Sequence, residues 1–469
     1  MNRKKELVKN TIIISIGKFS TKVVSFLLLP LYTAILVPAE KGQVDLLNRI
    51  SLFLIPIITL QMDEALFRFL IDTKTENDKK NIFNQLVIFS IVSSLIWSVL
   101  IFIFGNILHY EYTIWLIFYC LASFIYTIVN GFLRGEGNFK MYSLLAFVNS
   151  VINIGLNVIF LAVLKTGLTG MFLSYIIASV STGIFGLIYL KAYRLVDLHY
   201  DKVKMKEMIK YSFPLVPSSI SWSIITLTDS LMITTNLGSS YNGIYSTSAT
   251  FPTIMNTMFG FFNTSWRESA SRAVTSTSKN DFYSSVYLTV RHFLMGVSIM
   301  IVGVLPFIFP ILVNTKYNES YIYIPLMVLS VYCSSLASFS TGIFSAYKDT
   351  KILAPTTFVA AMINLVFNFI FINKLGLFAP ILGTLTAYIA INLYRNYKLR
   401  KYIVLPFDKM MIPSLATLGI VSALYYSNNY LLYALGLLIA LIYSYYLNKD
   451  LVKKVILGIK KKFSKKVVS

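Results

Sequence analysis

The fold is decided at residues 11–37, which read TIIISIGKFSTKVVSFLLLPLYTAILV. At about 1.5 Å per helical residue, this run is long enough to cross a hydrocarbon layer of about 30 Å. Lys18 and Lys22 interrupt it, and charged residues at such depth usually face a bundle interior or a wet cavity. Because four residues separate the two lysines, they share one helix face. Two interpretations stay open: both line a polar cavity, or their ammonium groups snorkel to the headgroups.

The composition is that of a polytopic membrane protein. Of 469 residues, 56% are hydrophobic and 13% are charged, which excludes an ordinary soluble domain. The net charge of +22 resides in short loops between apolar runs, so it indicates membrane topology rather than nucleic-acid binding. Cys120 and Cys333 lie inside apolar segments and are interpreted as packing residues. The sequence has no Walker A motif and no paired carboxylates beside a nucleophile, so we predict neither an enzyme nor a cofactor.

Fourteen apolar runs have spanning length and are called spans 1 to 14. They lie at residues 11–37, 44–70, 82–104, 112–133, 142–164, 168–190, 211–236, 243–266, 285–313, 320–345, 352–373, 376–394, 410–427 and 429–448. With the N-terminus inside, 35 of the 42 Lys and Arg residues fall on cytoplasmic segments, counting Arg68 and Arg291 at the inner ends of spans 2 and 9, and four fall on outer loops, as the positive-inside rule requires. The other three are Lys18, Lys22 and Arg49. We therefore predict a multi-pass protein of the cell (cytoplasmic or inner) membrane with both termini cytoplasmic.

The two halves of the chain resemble each other. At a shift of 201 residues Gly42 aligns with Gly243. At a later shift of 211, Gly131, Lys140, Asn153 and Asn157 align with Gly342, Lys351, Asn364 and Asn368. Because each repeat holds six spans, an even number, both copies begin on the same side. We therefore predict two parallel six-helix lobes related by an axis along the membrane normal.

The predicted fold is thus an all-α membrane protein of about 14 transmembrane helices. Its parts are an N-terminal lobe (1–193), a cytoplasmic amphipathic linker (194–210), a C-terminal lobe (211–396), spans 13 and 14 (397–448) and a basic cytoplasmic tail (449–469). Apolar residues at helical spacing in the linker predict that it lies on the cytoplasmic surface. Near the inner end of span 2, we predict that Glu64 pairs with Arg68 one turn later.

Two regions resemble motifs of a known family. They read FLLLPLYTAILVPAEKGQVDLL (26–47) and YSFPLVPSSISWSIITLTDSLMI (211–233), the second continued by NLGSSYNGIYSTSA (236–249). They are similar to the polysaccharide or O-antigen flippases of the multidrug/oligosaccharidyl-lipid/polysaccharide exporter superfamily, and the resemblance covers nearly the whole chain. It implies two six-helix lobes around a central cavity, with two extra helices flanking a lateral opening. Ala34 and Ser230 stand where the family usually has basic residues, so the resemblance does not specify the glycan.

This resemblance implies a flippase that moves a polyprenyl-diphosphate-linked oligosaccharide from the cytoplasmic to the outer leaflet by alternating access, for O-antigen or capsule synthesis. Lys18, Lys22 and Arg49 are the candidates for holding the diphosphate, which needs several donors and compensating positive charge. Arg267, at the cytoplasmic end of span 8, is a further candidate. The alternative for Arg49 is a local pair with Asp45, four residues earlier, and for Arg267 it is the positive-inside pattern alone.

A coupling ion, sodium or a proton, is also expected. Asp229 lies within span 7 and has no basic residue three or four positions away. In the related lipid II flippases a sodium ion can sit between helices 7, 11 and 12, and Asp229, Asn364, Asn368 and Thr384 resemble its ligand set. Oxygen ligands are those that a hard cation prefers. The alternatives are a protonated Asp229 and plain hydrogen bonding across helices.

Two other functions stay open. A cation-coupled multidrug exporter of the same superfamily would favour acids and aromatic residues over lysines in its cavity. A membrane-embedded polysaccharide polymerase should carry large outer loops, and the outer loops here are short. The expected partners are the polyprenyl-diphosphate-linked glycan, the lipid bilayer and a polysaccharide polymerase, with no nucleic acid.

Overall fold

The computed structural model of the protein describes residues 26, 28–73, 75–274 and 276–467, so Lys18 and Lys22 lie outside the described residues. The chain divides into two compact units, residues 1–243 and 244–469. In the first unit, the described helices are α1 (Leu29–Ile35), α2 (Pro38–Thr59), α3 (Met62–Ile71), α4 (Glu76–Ile107), α5 (Thr113–Gly135), α6 (Phe139–Asn157), α7 (Leu168–Tyr189), α8 (Lys202–Ser212), α9 (Val216–Asn236) and the start of α10 (Ser239–Thr250). In the second unit, they are the rest of α10, α11 (Pro252–Ala273), α12 (Lys279–Leu312), α13 (Ser320–Ala346), α14 (Leu353–Leu375), α15 (Phe378–Leu399), α16 (Met411–Tyr425) and α17 (Tyr430–Val467).

The predicted all-helical membrane fold is confirmed, whereas the count of 14 spans is not. Within the described ranges, nine helices are long and apolar enough to cross a membrane: α2, α4, α5, α6 with its π-helical extension Val158–Val163, α7, α12, α13, α14 and α17. Helices α9, α11 and α15 coincide with further predicted spans, but serine, threonine and asparagine lower their mean hydropathy. Helix α16 coincides with span 13 and has 15 residues.

Two predicted spans are each divided into two helices. Span 2 breaks between α2 and α3, where Leu60 and Gln61 have φ of 44° and 56°, in the left-handed region. Pro56 lies one turn earlier inside α2 and lacks a backbone donor. Span 8 breaks at Phe251, directly before Pro252, which begins α11. A proline therefore lies within about one turn of each break.

Glycines that the repeat aligns also pack alike. A Cβ atom on Gly131 of α5 would lie 2.8 Å from the main-chain oxygen of Asp63 in α3. A Cβ atom on Gly342 of α13 would lie 2.6 Å from the Trp266 ring in α11. The second and fourth spans of each repeat therefore approach closely at a glycine, once within each unit.

The other aligned glycine pair lies where the start of α2 meets the start of α10. A Cβ atom on Gly42 would lie 1.9 Å from the Ser239 oxygen, and one on Gly243 would lie 1.9 Å from the Pro38 oxygen. The Asn242 amide also donates to the Gly42 oxygen at 2.7 Å. Pro38 and Ser239 are 201 residues apart, as the two glycines are, so the contact is reciprocal. Backbone meets backbone here because neither glycine carries a side chain.

The linker packs on the first unit, and its placement on the cytoplasmic surface stays a prediction. Helix α8 buries Met205 and Met208 in an apolar cluster with residues of α3 and α4. Its apolar face is therefore covered by protein, which the local pattern could not reveal. Before α8, an extended segment runs along the start of α4 and is held there by polar side chains. These bonds join Lys80 to Asp197 at 2.8 Å, Gln85 to the His199 oxygen at 2.9 Å, and Asn81 to Asp201 at 2.8 Å.

Candidate substrate and ion sites

Charged and polar groups meet where α2 packs against α9. Arg49 Nε donates to Asp45 Oδ2 at 2.5 Å, one helical turn earlier. Arg49 Nη1 donates to the main-chain oxygen of Thr226 at 3.2 Å, and the Ser230 hydroxyl donates to the same Asp45 oxygen at 3.3 Å. We call Asp45, Arg49, Thr226 and Ser230 the α2–α9 seam. The side chains of Arg49 and Asp45 are 15% and 23% exposed, so the pair is largely withdrawn from solvent.

This geometry includes the local Asp45–Arg49 pair that was the alternative interpretation of Arg49. The guanidinium is compensated by a carboxylate, so its presence inside a membrane-spanning helix needs no other anion. An anionic ligand that reaches Arg49 must compete with the Asp45 carboxylate. Phosphate and carboxylate present similar paired oxygens to a guanidinium, but Asp45 stays in the seam, so a bound anion adds its negative charge to the site.

Asp229 lies on α9 next to the seam. Its side chain is 1% exposed, and that of Ser230 is fully buried. Consecutive helical residues point about 100° apart, so Asp229 faces a different direction from Ser230, which contacts α2. Asp229 is therefore a buried carboxyl on a helix of the first unit.

The other three predicted ion ligands come together within the second unit. The Asn364 amide donates to the Thr384 hydroxyl at 3.0 Å, which joins α14 to α15, and the Asn368 amide donates to Asn364 Oδ1 at 3.4 Å. Both asparagines are fully buried. This chain of bonds is the hydrogen bonding across helices that was the alternative to an ion site. Asp229 belongs to the first unit, and the four-residue ion site stays a prediction from the sequence.

Arg267 lies at the predicted cytoplasmic end of α11 and is exposed. The residue before it, Trp266, is buried and donates its indole N–H to the Phe339 oxygen at 3.0 Å. One turn on, Arg272 pairs with Glu268. Within the described part of the chain Arg267 forms no ion pair, and its role in substrate binding stays a prediction.

The sequence placed Arg395 in a cytoplasmic loop, and this was wrong. Helix α15 continues to Leu399, and Arg395 inside it is 1% exposed. Its guanidinium donates to five neutral acceptors on α13 and α14: the Ala337 oxygen, the Thr341 hydroxyl, the Leu353 oxygen and the hydroxyls of Thr356 and Thr357. Span 12 ended too early because four of the next seven residues are basic, which lowers a hydropathy average.

The predicted pairing of Glu64 with Arg68 was also wrong. Glu64 accepts two bonds from Arg134 of α5, at 2.8 and 3.2 Å, while Arg68 pairs with Asp72 at 2.6 Å. Tertiary packing brings Arg134 to Glu64 and leaves Arg68 to pair with Asp72. The spacing of residues along the sequence could indicate only a partner on the same helix.

Sequence reasoning also missed a buried cluster in the second unit. Asp408, which precedes α16 and is 6% exposed, lies 3.5 Å from Arg291 Nε and 3.1 Å from His292 Nε2, both on α12. Arg291 also donates to the Tyr287 hydroxyl at 2.9 Å. The cluster ties the segment before α16 to α12, and the acid was separated from its partners by more than a hundred residues.

Comparisons with known proteins agree with this architecture. The sequence profile of the family described as "Polysaccharide biosynthesis protein" matches residues 7–267. The lipid II flippase MurJ in an inward closed conformation is similar in structure, with a TM-score of 0.74 and 15% identity, covering 95% of this chain and 100% of that chain. An inward-facing multidrug resistance MATE family transporter of the MOP superfamily has a TM-score of 0.68 and 15% identity, covering 84% and 98%. The comparison with curated protein sequences gives no match.

Proposed function

Because this chain belongs to the polysaccharide biosynthesis protein family, we propose that it is a flippase for a polyprenyl-diphosphate-linked oligosaccharide. It moves this substrate from the cytoplasmic to the outer leaflet by alternating access and supplies the synthesis of a surface polysaccharide such as an O-antigen or a capsule. The flippase and exporter folds to which the chain is similar support a transporter. The proposal assigns no catalytic residue, and a polysaccharide polymerase is the expected downstream partner.

The observation that carries the proposal is the family match over residues 7–267, and we place the diphosphate at the Asp45–Arg49 pair inside a membrane-spanning helix. A permanent ion pair at such depth adds little stability compared with apolar packing, because desolvating both charges offsets their attraction. In our proposal the pair exchanges partners. The substrate diphosphate binds Arg49 in place of Asp45, and Asp45 keeps the hydrogen bond from Ser230. Lys18 and Lys22 supply further positive charge in this proposal, and the exposed Arg267 meets the diphosphate on entry.

Asp229 is the group to which we assign the coupling ion. A buried carboxyl can take up either a proton or a sodium ion, and its state biases the equilibrium between two transporter conformations only if the ion binds one of them better. Exchange of Asp229 for asparagine keeps the size and removes the charge. In Asp229→Asn we expect translocation to become insensitive to an imposed sodium or proton gradient, while exchange without a gradient persists.

A reconstituted translocation assay tests the function directly. The full-length protein is placed in vesicles with a fluorescent polyprenyl-diphosphate glycan, and a membrane-impermeant quencher reports the leaflet that the label occupies. We expect Arg49→Gln and Lys22→Ala to slow translocation at least about ten-fold, since each removes one ionised partner of the diphosphate. The matched control is Arg68→Gln, an equal change at an arginine that is 46% exposed and pairs within its own helix, and it should stay within about two-fold.

Two further arms separate misfolding and the alternative functions. Arg49→Gln leaves Asp45 with an uncompensated charge, so the double variant Asp45→Asn with Arg49→Gln restores neutrality; it should fold and still fail to translocate. Wild-type rates in that double variant would remove Arg49 from the binding role. Efflux of a cationic dye without any glycan translocation would instead establish a multidrug exporter, and growth of glycan chains in the same vesicles would establish a polymerase.

A further inference from the structure

A groove with a basic rim lies between α14 and α15, at the end of these helices that the positive-inside pattern places in the cytoplasm. Its volume is about 1170 Å³, and it lies wholly within the second unit. Apolar residues of both helices form its floor, among them Pro355, Val359, Ile363 and Ile391. Four cations surround its mouth: Lys351, Lys398, Arg400 and Lys401.

The charge at this rim is not balanced by acids. The four cations are exposed, and in the described ranges of the chain none of them forms an ion pair. Asp349, the acid in the groove wall, accepts a hydrogen bond from Tyr402 at 2.8 Å. Cations elsewhere at the predicted cytoplasmic end, such as Lys79 and Lys80, do pair with acids at 2.7 and 2.8 Å.

A buried cation adds to the field behind the groove. Arg395 lies directly behind the wall residue Thr356, whose hydroxyl accepts from Arg395 Nε and Nη2 at 3.0 and 2.9 Å. All the partners of Arg395 described above are neutral, so its charge contributes to the potential at the rim. In a low-dielectric wall such a charge acts over a longer distance than it would in water.

The length of the groove matches one leaflet. From Lys351 to Ile363 it spans twelve residues of helix, or about 18 Å at 1.5 Å per residue, which is close to half of a hydrocarbon layer of about 30 Å. Tyr394 and Tyr397, 47% and 63% exposed, flank it at the level of the cations, with Lys398 Nζ 5.5 and 5.9 Å from their ring centres. Tyrosines at this level are typical of the membrane interface.

We propose that this groove binds an anionic phospholipid of the cytoplasmic leaflet. The phosphate lies among Lys351, Lys398, Arg400 and Lys401, and an acyl chain lies on the apolar floor beside Val359. Basic pockets between membrane helices on the cytoplasmic side recognise acidic headgroups by this combination of charge and apolar contact. The site is separate from the α2–α9 seam, which belongs to the first unit.

Lipid binding by the purified full-length protein tests the proposal. The protein in neutral detergent is titrated with phosphatidylglycerol, phosphatidylcholine or inorganic phosphate, and bound molecules are counted by native mass spectrometry. We expect phosphatidylglycerol to bind and the triple variant Lys398→Gln, Arg400→Gln, Lys401→Gln to weaken it at least about ten-fold. The matched control is Lys202→Gln, Lys206→Gln, Lys210→Gln, which removes three exposed charges from α8 and should leave binding within about two-fold.

A second variant tests the apolar floor of the groove independently of the cations at its rim. Val359→Trp fills the apolar floor at a position that is 56% exposed, so the helix pair need not rearrange, and it should weaken phosphatidylglycerol at least about five-fold with every cation retained. Four outcomes would overturn the proposal. They are equal loss in the α8 control, equal binding of phosphatidylcholine, full competition by millimolar inorganic phosphate, and binding of a polyprenyl diphosphate in the groove where phosphatidylglycerol fails to bind.

Discussion

The reciprocal glycine contact between the starts of α2 and α10 gives the sharpest prediction for a single residue. In Gly42→Ala the new Cβ atom would stand 1.9 Å from the Ser239 oxygen and 2.8 Å from the Gly243 nitrogen. Both are main-chain atoms, so no side-chain rotation relieves the clash. The two helix starts must separate by about 1.6 Å to reach the roughly 3.5 Å of an ordinary nonbonded contact.

That separation has two costs. Overpacking of a close helix contact typically costs about 1–3 kcal/mol. The bond from the Asn242 amide to the Gly42 oxygen, 2.7 Å long and fully buried, would also break, and an unmet buried polar group costs about 1–3 kcal/mol. We therefore expect a loss of about 2–6 kcal/mol. At about 2–4 °C per kcal/mol for a unit of this size, the unfolding midpoint should fall by at least about 4 °C.

Thermal unfolding of the purified protein in detergent measures this loss. The matched control is Gly155→Ala in α6, another helical glycine of the same unit, where an added Cβ meets nothing within 4 Å. Because alanine favours a helix by about 1 kcal/mol over glycine, the control should unfold at the same temperature or slightly higher. Gly243→Ala should repeat the loss, since its Cβ would stand 1.9 Å from the Pro38 oxygen. Equal midpoints for Gly42→Ala and Gly155→Ala would refute the close contact.

Two further predictions concern the linker and the second unit. A bond from Lys80 lowers the pKa of Asp197, and a bond from Asn81 lowers the pKa of Asp201. A lowered carboxyl pKa adds stability above the unfolded pKa of about 4, and this stability is lost as the pH falls through the folded pKa. Amide hydrogen exchange at residues 197–201, corrected for its intrinsic pH dependence, should therefore speed up below about pH 4 and not between pH 8 and 6. In α14, Thr356→Val removes an acceptor from the buried Arg395 and should lower the free energy of unfolding by about 1–3 kcal/mol. Arg395→Met should lower it less, because the Thr356 and Thr357 hydroxyls still donate to main-chain oxygens one turn earlier. A larger loss of stability in Arg395→Met would contradict this.

The sequence predicted features that depend on local pattern. Apolar runs located the helices, because length and hydropathy are properties of one segment. The repeat predicted that Gly131 and Gly342 are equivalent, and both pack at the same kind of helix contact. Asn157 and Asn368 each donate to the asparagine one turn earlier, at 2.7 and 3.4 Å. The alignment of the repeats and the four-residue spacing of the asparagines therefore predicted these contacts.

Partner choice could not be predicted, because it is set between segments that are far apart in the chain. Glu64 had a basic residue one turn away and pairs instead with Arg134, 70 residues later. Asp408 gave no local signal and lies beside Arg291 and His292. The burial of Arg395 depends on threonines contributed by two other helices. The mean hydropathy of a segment carries no information on such contacts, so predicted span 12 ended before Arg395.

The chemistry of their partners distinguishes Arg49 from Arg395. Arg395 is held by hydroxyl and main-chain oxygens of neighbouring helices, and these acceptors are present in every state that keeps the helices packed. Arg49 is held by a carboxylate, Asp45, and an anion that displaces Asp45 leaves that side chain in place with its own charge. A substrate-binding cation in a membrane must tolerate both the presence and the absence of its ligand. The Asp45 carboxylate compensates Arg49 while the ligand is absent, and in the binding role that we propose the charges of Lys18 and Lys22 compensate the ligand while it is present.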